Sequence, residues 1–269
     1  MLKVVVTFVM GVLMLFPIYW TLVTSLKPYV DIFSFPPKLI PNPISLENWM
    51  LVLSLPETLG FVLNSLVVSL GSVIFKLLVA TPAAYVLSRV VFRGRDAIAF
   101  LFIATVMIPA LVVFIPLYVF MAGMQMVNSY FSYILVLTGF GTPFIIWILR
   151  AYFSAIPVQL EEAAMVDGCT TIGALVRIVL PLSFNGLGAA AIYGFITAWN
   201  DLLIGIIFIS SAELRTLPMG LMAYMTEVKV LWGEVSVLAI LAILPPLILF
   251  LLFQKAFIEG MTSGGKGIY

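Results

Sequence analysis

Six apolar runs dominate this sequence, and each is long enough to cross a lipid bilayer. They lie near residues 4–26, 60–88, 97–121, 131–149, 185–210 and 235–255. A hydrocarbon core about 30 Å thick needs about 20 helical residues. Lipid offers backbone N–H and C=O groups no partner, so runs of this kind must satisfy their hydrogen bonds internally, as helices. The expected fold is all-α: one polytopic domain over residues 1–269 with six transmembrane helices. Composition agrees, with 63% hydrophobic and 9% charged residues, where a soluble domain carries roughly a quarter charged. A net charge of +1 gives no footing for nucleic acid. The chain has no histidine, the commonest proton relay and metal ligand, and its single cysteine, Cys169, excludes an intrachain disulfide. The first run starts after Met1-Leu2-Lys3, continues past Trp20 and meets Lys27-Pro28 without a small-x-small cleavage site. It is longer than a signal-peptide core, so we expect an uncleaved span.

Lys and Arg set the orientation. With the N-terminus in the cytoplasm, Lys3, Arg89, Arg93, Arg95, Arg150, Arg177, Lys255 and Lys266 fall inside. Lys27, Lys38, Arg215 and Lys229 fall outside. Eight against four places both termini, and residues 150–184, in the cytoplasm. Arg89, Arg93 and Arg95 then serve as headgroup anchors.

Between the fourth and fifth runs, residues 154–183 return about one helical hairpin of chain to water. Pro157 suits the first turn of a helix, where its missing N–H costs nothing. Glu161 and Glu162 in that turn suit the helix dipole. Ala163 and Ala164 present a smooth face, and Gly168 is a natural stop. Thr170 or Thr171 can cap a second short helix, which Pro181 ends. Taken alone, this is an amphipathic loop lying on the membrane.

Several polar residues sit inside the apolar runs. The second run opens on Asn64-Ser65 and holds Lys76, with Pro82 expected to kink or break it. Lys76 lies about 20 Å from Arg89 along a helix. An ammonium at that depth either pairs with a carboxylate on a neighbouring span or subunit, or lines a wet translocation path. The third run carries Pro109 and Pro116; Gly139, Gly141 and Pro143 in the fourth suggest close helix packing. In the fifth, Trp199-Asn200-Asp201 lies about 21–24 Å up the helix from Asn185. An indole, an amide and a carboxylate suit a sugar, and equally suit an interfacial aromatic with a structural hydrogen-bond network.

The hydrophilic stretch carries a family resemblance. Glu162-Ala163-Ala164, three residues, Gly168, nine residues, then Ile178-x-Leu180-Pro181 resembles the EAA loop of ABC-importer permeases. Asp167 before the glycine is similar to the carbohydrate-uptake, maltose-importer-like branch. Leu46-Glu47-Asn48-Trp49, Ala83 to Arg89, Trp199-Asn200-Asp201, Thr216-Leu217-Pro218-Met219-Gly220-Leu221 and Gln254 to Gly260 resemble further elements of that family. Leu46 to Trp49 reads otherwise as an interfacial tryptophan anchor. Two positions depart from the pattern: Phe184 stands where a proline is common, and Ala174-Leu175 where an aromatic is usual.

The resemblance implies a type I ABC-importer permease fold with a cytoplasmic coupling helix between spans four and five. It implies that Glu161, Glu162, Ala163, Ala164, Asp167, Gly168, Ile178, Leu180 and Pro181 couple to an ATPase. Asn64, Lys76, Trp199, Asn200 and Asp201 are candidates for the translocation path. The implied partners are two ATP-binding subunits, a second homologous permease, an extracytoplasmic solute-binding protein, membrane lipid and a sugar. We assign no catalytic or metal-ligating residue to the chain. Gly260, four residues, then Gly265-Lys266 imitates a phosphate loop, but position 267 is Gly and no strand precedes it. The resemblance implies that ATP and magnesium are held by the partner ATPase. The competing readings are a secondary transporter or channel for a small polar solute, and a membrane enzyme. The first predicts inverted repeats and titratable relays, but no clear repeat is visible and only Lys76 and Asp201 are charged within the runs; the second needs clustered acids or metal ligands, and its one cluster, Glu161, Glu162 and Asp167, is better explained by docking.

Overall fold

The computed structural model describes residues 2–225 and 230–264. The helices are α1 (Leu2–Ser25), α2 (Tyr29–Ile32), α3 (Glu47–Ser54), α4 (Pro56–Arg89), α5 (Arg95–Thr105), α6 (Ala110–Gly123) and α7 (Tyr130–Ala155). They continue as α8 (Gln159–Val166), α9 (Thr171–Leu182), α10 (Phe184–Trp199), α11 (Leu203–Phe208), α12 (Leu217–Ala223) and α13 (Trp232–Gly264). The backbone of α13 carries the Gln254–Gly260 segment, whereas the Gly265-Lys266 ending and Lys229 lie outside the described residues.

Among the described residues, four helices, α1, α4, α7 and the start of α13, are each long and apolar enough to span a membrane, and two bent pairs raise the number to six if each is one span. The bends correct the expectation of straight spans. Residues 97–121 do not form one helix: α5 and α6 meet at 90°. Pro109 supplies no N–H and disfavours a helical Ile108 before it. Residues 185–210 also divide, because α10 ends at Trp199 and α11 starts at Leu203. Asn and Asp side chains compete with the helix for backbone groups. Here Asn200 donates back to the Ile196 carbonyl at 2.9 Å, and the Asp201 carboxylate accepts from the Gly205 amide at 3.2 Å. Pro82, by contrast, lies within a continuous α4.

The residues group into two compact units, 1–65 with 211–247, and 66–210 with 248–269. In the first, Asn48 donates to the carbonyls of Ser25 and Lys27, at 3.2 and 2.9 Å, and Trp49 donates to the Ser25 hydroxyl at 3.1 Å. They occupy the orphan carbonyls at the end of α1. Lys27 is not a solvated outside charge. It is 1% exposed and lies 4.2 Å from the Trp20 ring centre. Burial lowers its ammonium below the ordinary lysine value, while Asp31 pulls it back up. Large apolar side chains along α1, among them Val4, Phe8, Leu13 and Met14, are exposed, as a lipid-facing surface requires.

The second unit holds α4 from Leu66 onward through α11. Its core joins Ala80, Ala84, Tyr85 and Leu87 of α4 to Ile145, Leu149 and Phe153 of α7, and to Leu175 and Val179 of α9. The hydrophilic stretch is thus packed into the unit rather than lying loose upon it.

Candidate functional site: a fastened elbow and an intramembrane cavity

The elbow begins where α7 ends. Pro157 precedes the helix rather than sitting in its first turn, since α8 starts at Gln159 with Val158 as N-cap. Glu161 and Glu162 do occupy the first turn. α8 closes as the sequence suggests. Gly168 is left-handed at φ +88°, its amide bonds the Met165 carbonyl at 3.0 Å, and the Cys169 amide bonds Ala164 at 2.9 Å. Those two bonds make a Schellman stop. The Thr170 hydroxyl then accepts from the Gly173 amide at 3.1 Å, capping α9.

Pro181 does not end α9. The helix widens into a π turn over Leu175–Val179, with the Leu180 amide bonding the Leu175 carbonyl, and continues to Leu182 before an 80° bend into α10. Proline lacks the N–H that would serve the Arg177 carbonyl and its ring crowds that group, a conflict a widened turn relieves.

The two adjacent glutamates face opposite ways. Glu162 is exposed, as are Ala163, Asp167 and Gly168, while Ala164 is half-buried. Glu161 is 2% exposed. Its carboxylate takes the Arg89 guanidinium at 2.5 Å on one oxygen and the Tyr85 hydroxyl at 2.8 Å on the other. Arg89 also donates to the Ile156 carbonyl at 3.0 Å. Arg89 is therefore not a headgroup anchor. It fastens the end of α4 to both ends of the α7–α8 turn. Sequence reasoning missed this pairing, although two acids beside an alanine face and an arginine closing a span were both in view. In α9 the buried groups are Ala174, Leu175 and Val179, whereas Ile178 and Leu180 are half-buried and Pro181 is exposed.

The path candidates scatter. Asn64 donates to the carbonyls of Glu213 and Arg215 at 2.7 and 2.8 Å, and its neighbour Ser65 accepts from the Leu217 amide at 2.7 Å. Both pin the segment before α12 onto α4. Trp199 is 1% exposed and stacks on Phe195 at 5.5 Å, and Asn200 is exposed. None of these three lines the cavity that Lys76 and Asp201 share.

That cavity measures about 260 Å³ and is lined by Lys76, Ala110, Phe114, Leu137, Phe140, Gly141, Tyr193, Thr197, Asp201, Leu203 and Ile204. Lys76 is 1% exposed and donates to the Gly194 carbonyl at 3.3 Å. The Asp201 carboxylate accepts from the Tyr133 hydroxyl at 3.0 Å. Gly141 does pack closely, but against Lys76, where a Cβ would fall on the side-chain end; Gly139 has open space at the same position. A larger cavity of about 740 Å³ under the α5–α6 bend is lined by apolar groups such as Phe102, Val106, Met121 and Phe140 and by no charged side chain. Among the described residues no group of three or more His, Cys, Asp or Glu is placed to hold a metal.

The chain is similar to transport permeases. The sulfoquinovosyl glycerol transport system permease protein SmoH of Agrobacterium fabrum is 36% identical over 251 residues, 93% of this chain and 88% of its own. The diacetylchitobiose uptake system permease protein DasC of Streptomyces coelicolor is also 36% identical, over 93% and 91% of the two chains. The trehalose/maltose transport system permease protein MalG of Thermococcus litoralis is 32% identical over 98% and 95%. A chain from the crystal structure of a bacterial ABC transporter involved in import of the acidic polysaccharide alginate shares the fold. It has a TM-score of 0.84 over 95% of both chains, at 21% identity. The model of the family described as binding-protein-dependent transport system inner membrane component matches residues 76–263. Bent apolar spans, a fastened hydrophilic elbow and that match agree: the chain belongs to this family, as a multi-pass membrane permease of prokaryotic type and a transport subunit rather than an enzyme.

Proposed function

We propose that this chain is one of two permease subunits in an ATP-driven importer that receives a sugar from an extracytoplasmic solute-binding protein. Three relatives are named for sulfoquinovosyl glycerol, diacetylchitobiose and trehalose or maltose, which supports a glycoside or oligosaccharide as cargo. The Lys and Arg bias supports an elbow and both termini in the cytoplasm. The remaining partners in the proposal are a second, homologous permease and two ATP-binding subunits, which would hold the ATP and magnesium.

One observation carries the reading. α8 presents Glu162, Ala163, Asp167 and Gly168 outward while the adjacent Glu161 is fastened inward to Arg89 and Tyr85. A helix exposed on one side and anchored on the other can take a push and pass it on. When the ATP-binding subunits close, α8 moves, and the Glu161–Arg89 pair delivers that displacement to α4. A second route runs through α9 and its bend into α10. ATP binding then selects between inward-open and outward-open forms of a bistable bundle. Ile178 and Leu180, half-buried, and Pro181, exposed, complete the coupling set at the end of α9.

The test is reconstitution with the partner subunits in liposomes. Glu162→Lys or Gly168→Val should leave the assembly intact and ATP hydrolysis measurable while solute uptake falls at least tenfold. Uptake by this chain without any ATP-binding subunit would overturn the proposal. So would crosslinking from Cys169 that reaches no nucleotide-hydrolysing partner.

A further inference from the structure

The cavity beside Lys76 has a donor surplus. An ammonium carries three N–H donors, and among the described residues that of Lys76 has one acceptor, the Gly194 carbonyl at 3.3 Å. That carbonyl already accepts from the Thr197 hydroxyl at 3.1 Å. A buried cation in this condition is costly. The fold nonetheless makes room for it: a Cβ on Gly141 would overlap the end of the Lys76 side chain, and one on Gly194 would touch its stem. Asp201 lines the same cavity, yet the two form no ion pair. Tyr133 and the Gly205 amide hold the carboxylate where it is. Opposite charges are thus kept apart across a space edged by aromatic rings.

We propose that this cavity is a solute subsite within this subunit, and that it takes a neutral, hydroxyl-rich ring. Lys76 donates to one hydroxyl oxygen, Asp201 accepts from another hydroxyl, and Phe114, Phe140 and Tyr193 cover the C–H faces. Charge balance sets the class. The ammonium and the carboxylate already sum to zero, and an acidic sugar would bring an uncompensated charge into a low-dielectric site. The inference rests on the permease reading, and its test separates the two.

The assembled transporter, reconstituted with its binding protein and ATP-binding subunits, is first assayed with a panel of neutral mono- and disaccharides and with glucuronate. ATP-dependent uptake of none of them would count against the permease reading itself. Preferred uptake of glucuronate would overturn only the subsite. For the neutral sugar that is carried, Lys76→Met should raise the KM for uptake about tenfold or more, the size expected for a hydrogen bond to a charged group. In a Cys169→Ser background used as the reference, Lys76→Cys should show the same defect. Alkylation with 2-bromoethylamine, which rebuilds an ammonium on the sulfur, should restore the KM, whereas iodoacetamide should not. The neutral sugar should also slow the alkylation. An unchanged KM in Lys76→Met, rescue by iodoacetamide, or alkylation indifferent to the sugar would each overturn the proposal.

Discussion

α4 carries two buried charges within the second unit, and the two are treated in opposite ways. At Arg89 the guanidinium meets Glu161 at 2.5 Å, with Tyr85 and the Ile156 carbonyl completing the set. At Lys76, three to four turns earlier, the ammonium faces a cavity and the nearby carboxylate is held off by other donors. A buried charge whose partners are complete has no hydrogen-bonding capacity left for a ligand. A buried charge whose partners are incomplete keeps hydrogen-bonding capacity for something that arrives and leaves. On the proposed reading, closed electrostatics belong to the coupling elbow, and open electrostatics to the solute path.

Substitutions can break that contrast. The largest effect should follow Arg89→Ala, which strands the Glu161 carboxylate in the core. Breaking a buried pair from one side costs about 3–5 kcal/mol, measurable by denaturant or thermal unfolding in detergent. The paired replacement Arg89→Met with Glu161→Leu should recover most of that stability, because well-packed apolar groups often match a buried pair. Uptake per ATP hydrolysed should stay low in the double variant if the pair transmits motion. Full recovery of uptake would reduce the joint to a structural contact.

Next, Gly141→Ala places a methyl where the Lys76 side chain ends. Overpacking costs about 1–3 kcal/mol, and uptake should fall together with the displaced ammonium. Gly168→Val should cost about 1–2 kcal/mol, since a side chain is strained at its φ of +88° although nothing lies within 4 Å to obstruct it. A differential scan that finds no loss would mean the elbow relaxes there. The smallest stability effect belongs to Glu162→Ala. That exposed residue should alter unfolding by no more than about 0.5 kcal/mol while uptake drops. The two neighbouring glutamates then separate cleanly, one read by stability and the other by coupling.

Much of the elbow was legible because its signals are local. Gly168 and Thr170 act through their own backbone within a few residues, and the structure uses both as their chemistry suggests. Pro109 and Pro181 show the limit of local reading. A proline guarantees a missing donor, but not whether the chain bends, as between α5 and α6, or widens into a π turn, as in α9. Pro82 does not break its helix, and α4 runs through it. The outcome depends on what neighbouring elements offer the freed carbonyls.

Hydropathy marked the all-helical class and the apolar stretches that become its long or bent helices, because lipid penalises every unpaired backbone group wherever it occurs in the chain. Spacing of small, acidic and turn residues marked the elbow. What only the tertiary structure decided is the partner of each buried polar group. Asn64 went to loop carbonyls, Glu161 to Arg89, and Lys76 to a cavity, although all three are polar residues in or beside apolar helices. Which of them meets a partner depends on which helices become neighbours across 70 to 150 positions of chain, as in the Arg89–Glu161 and Asn64–Arg215 contacts. No periodicity within a single helix encodes that.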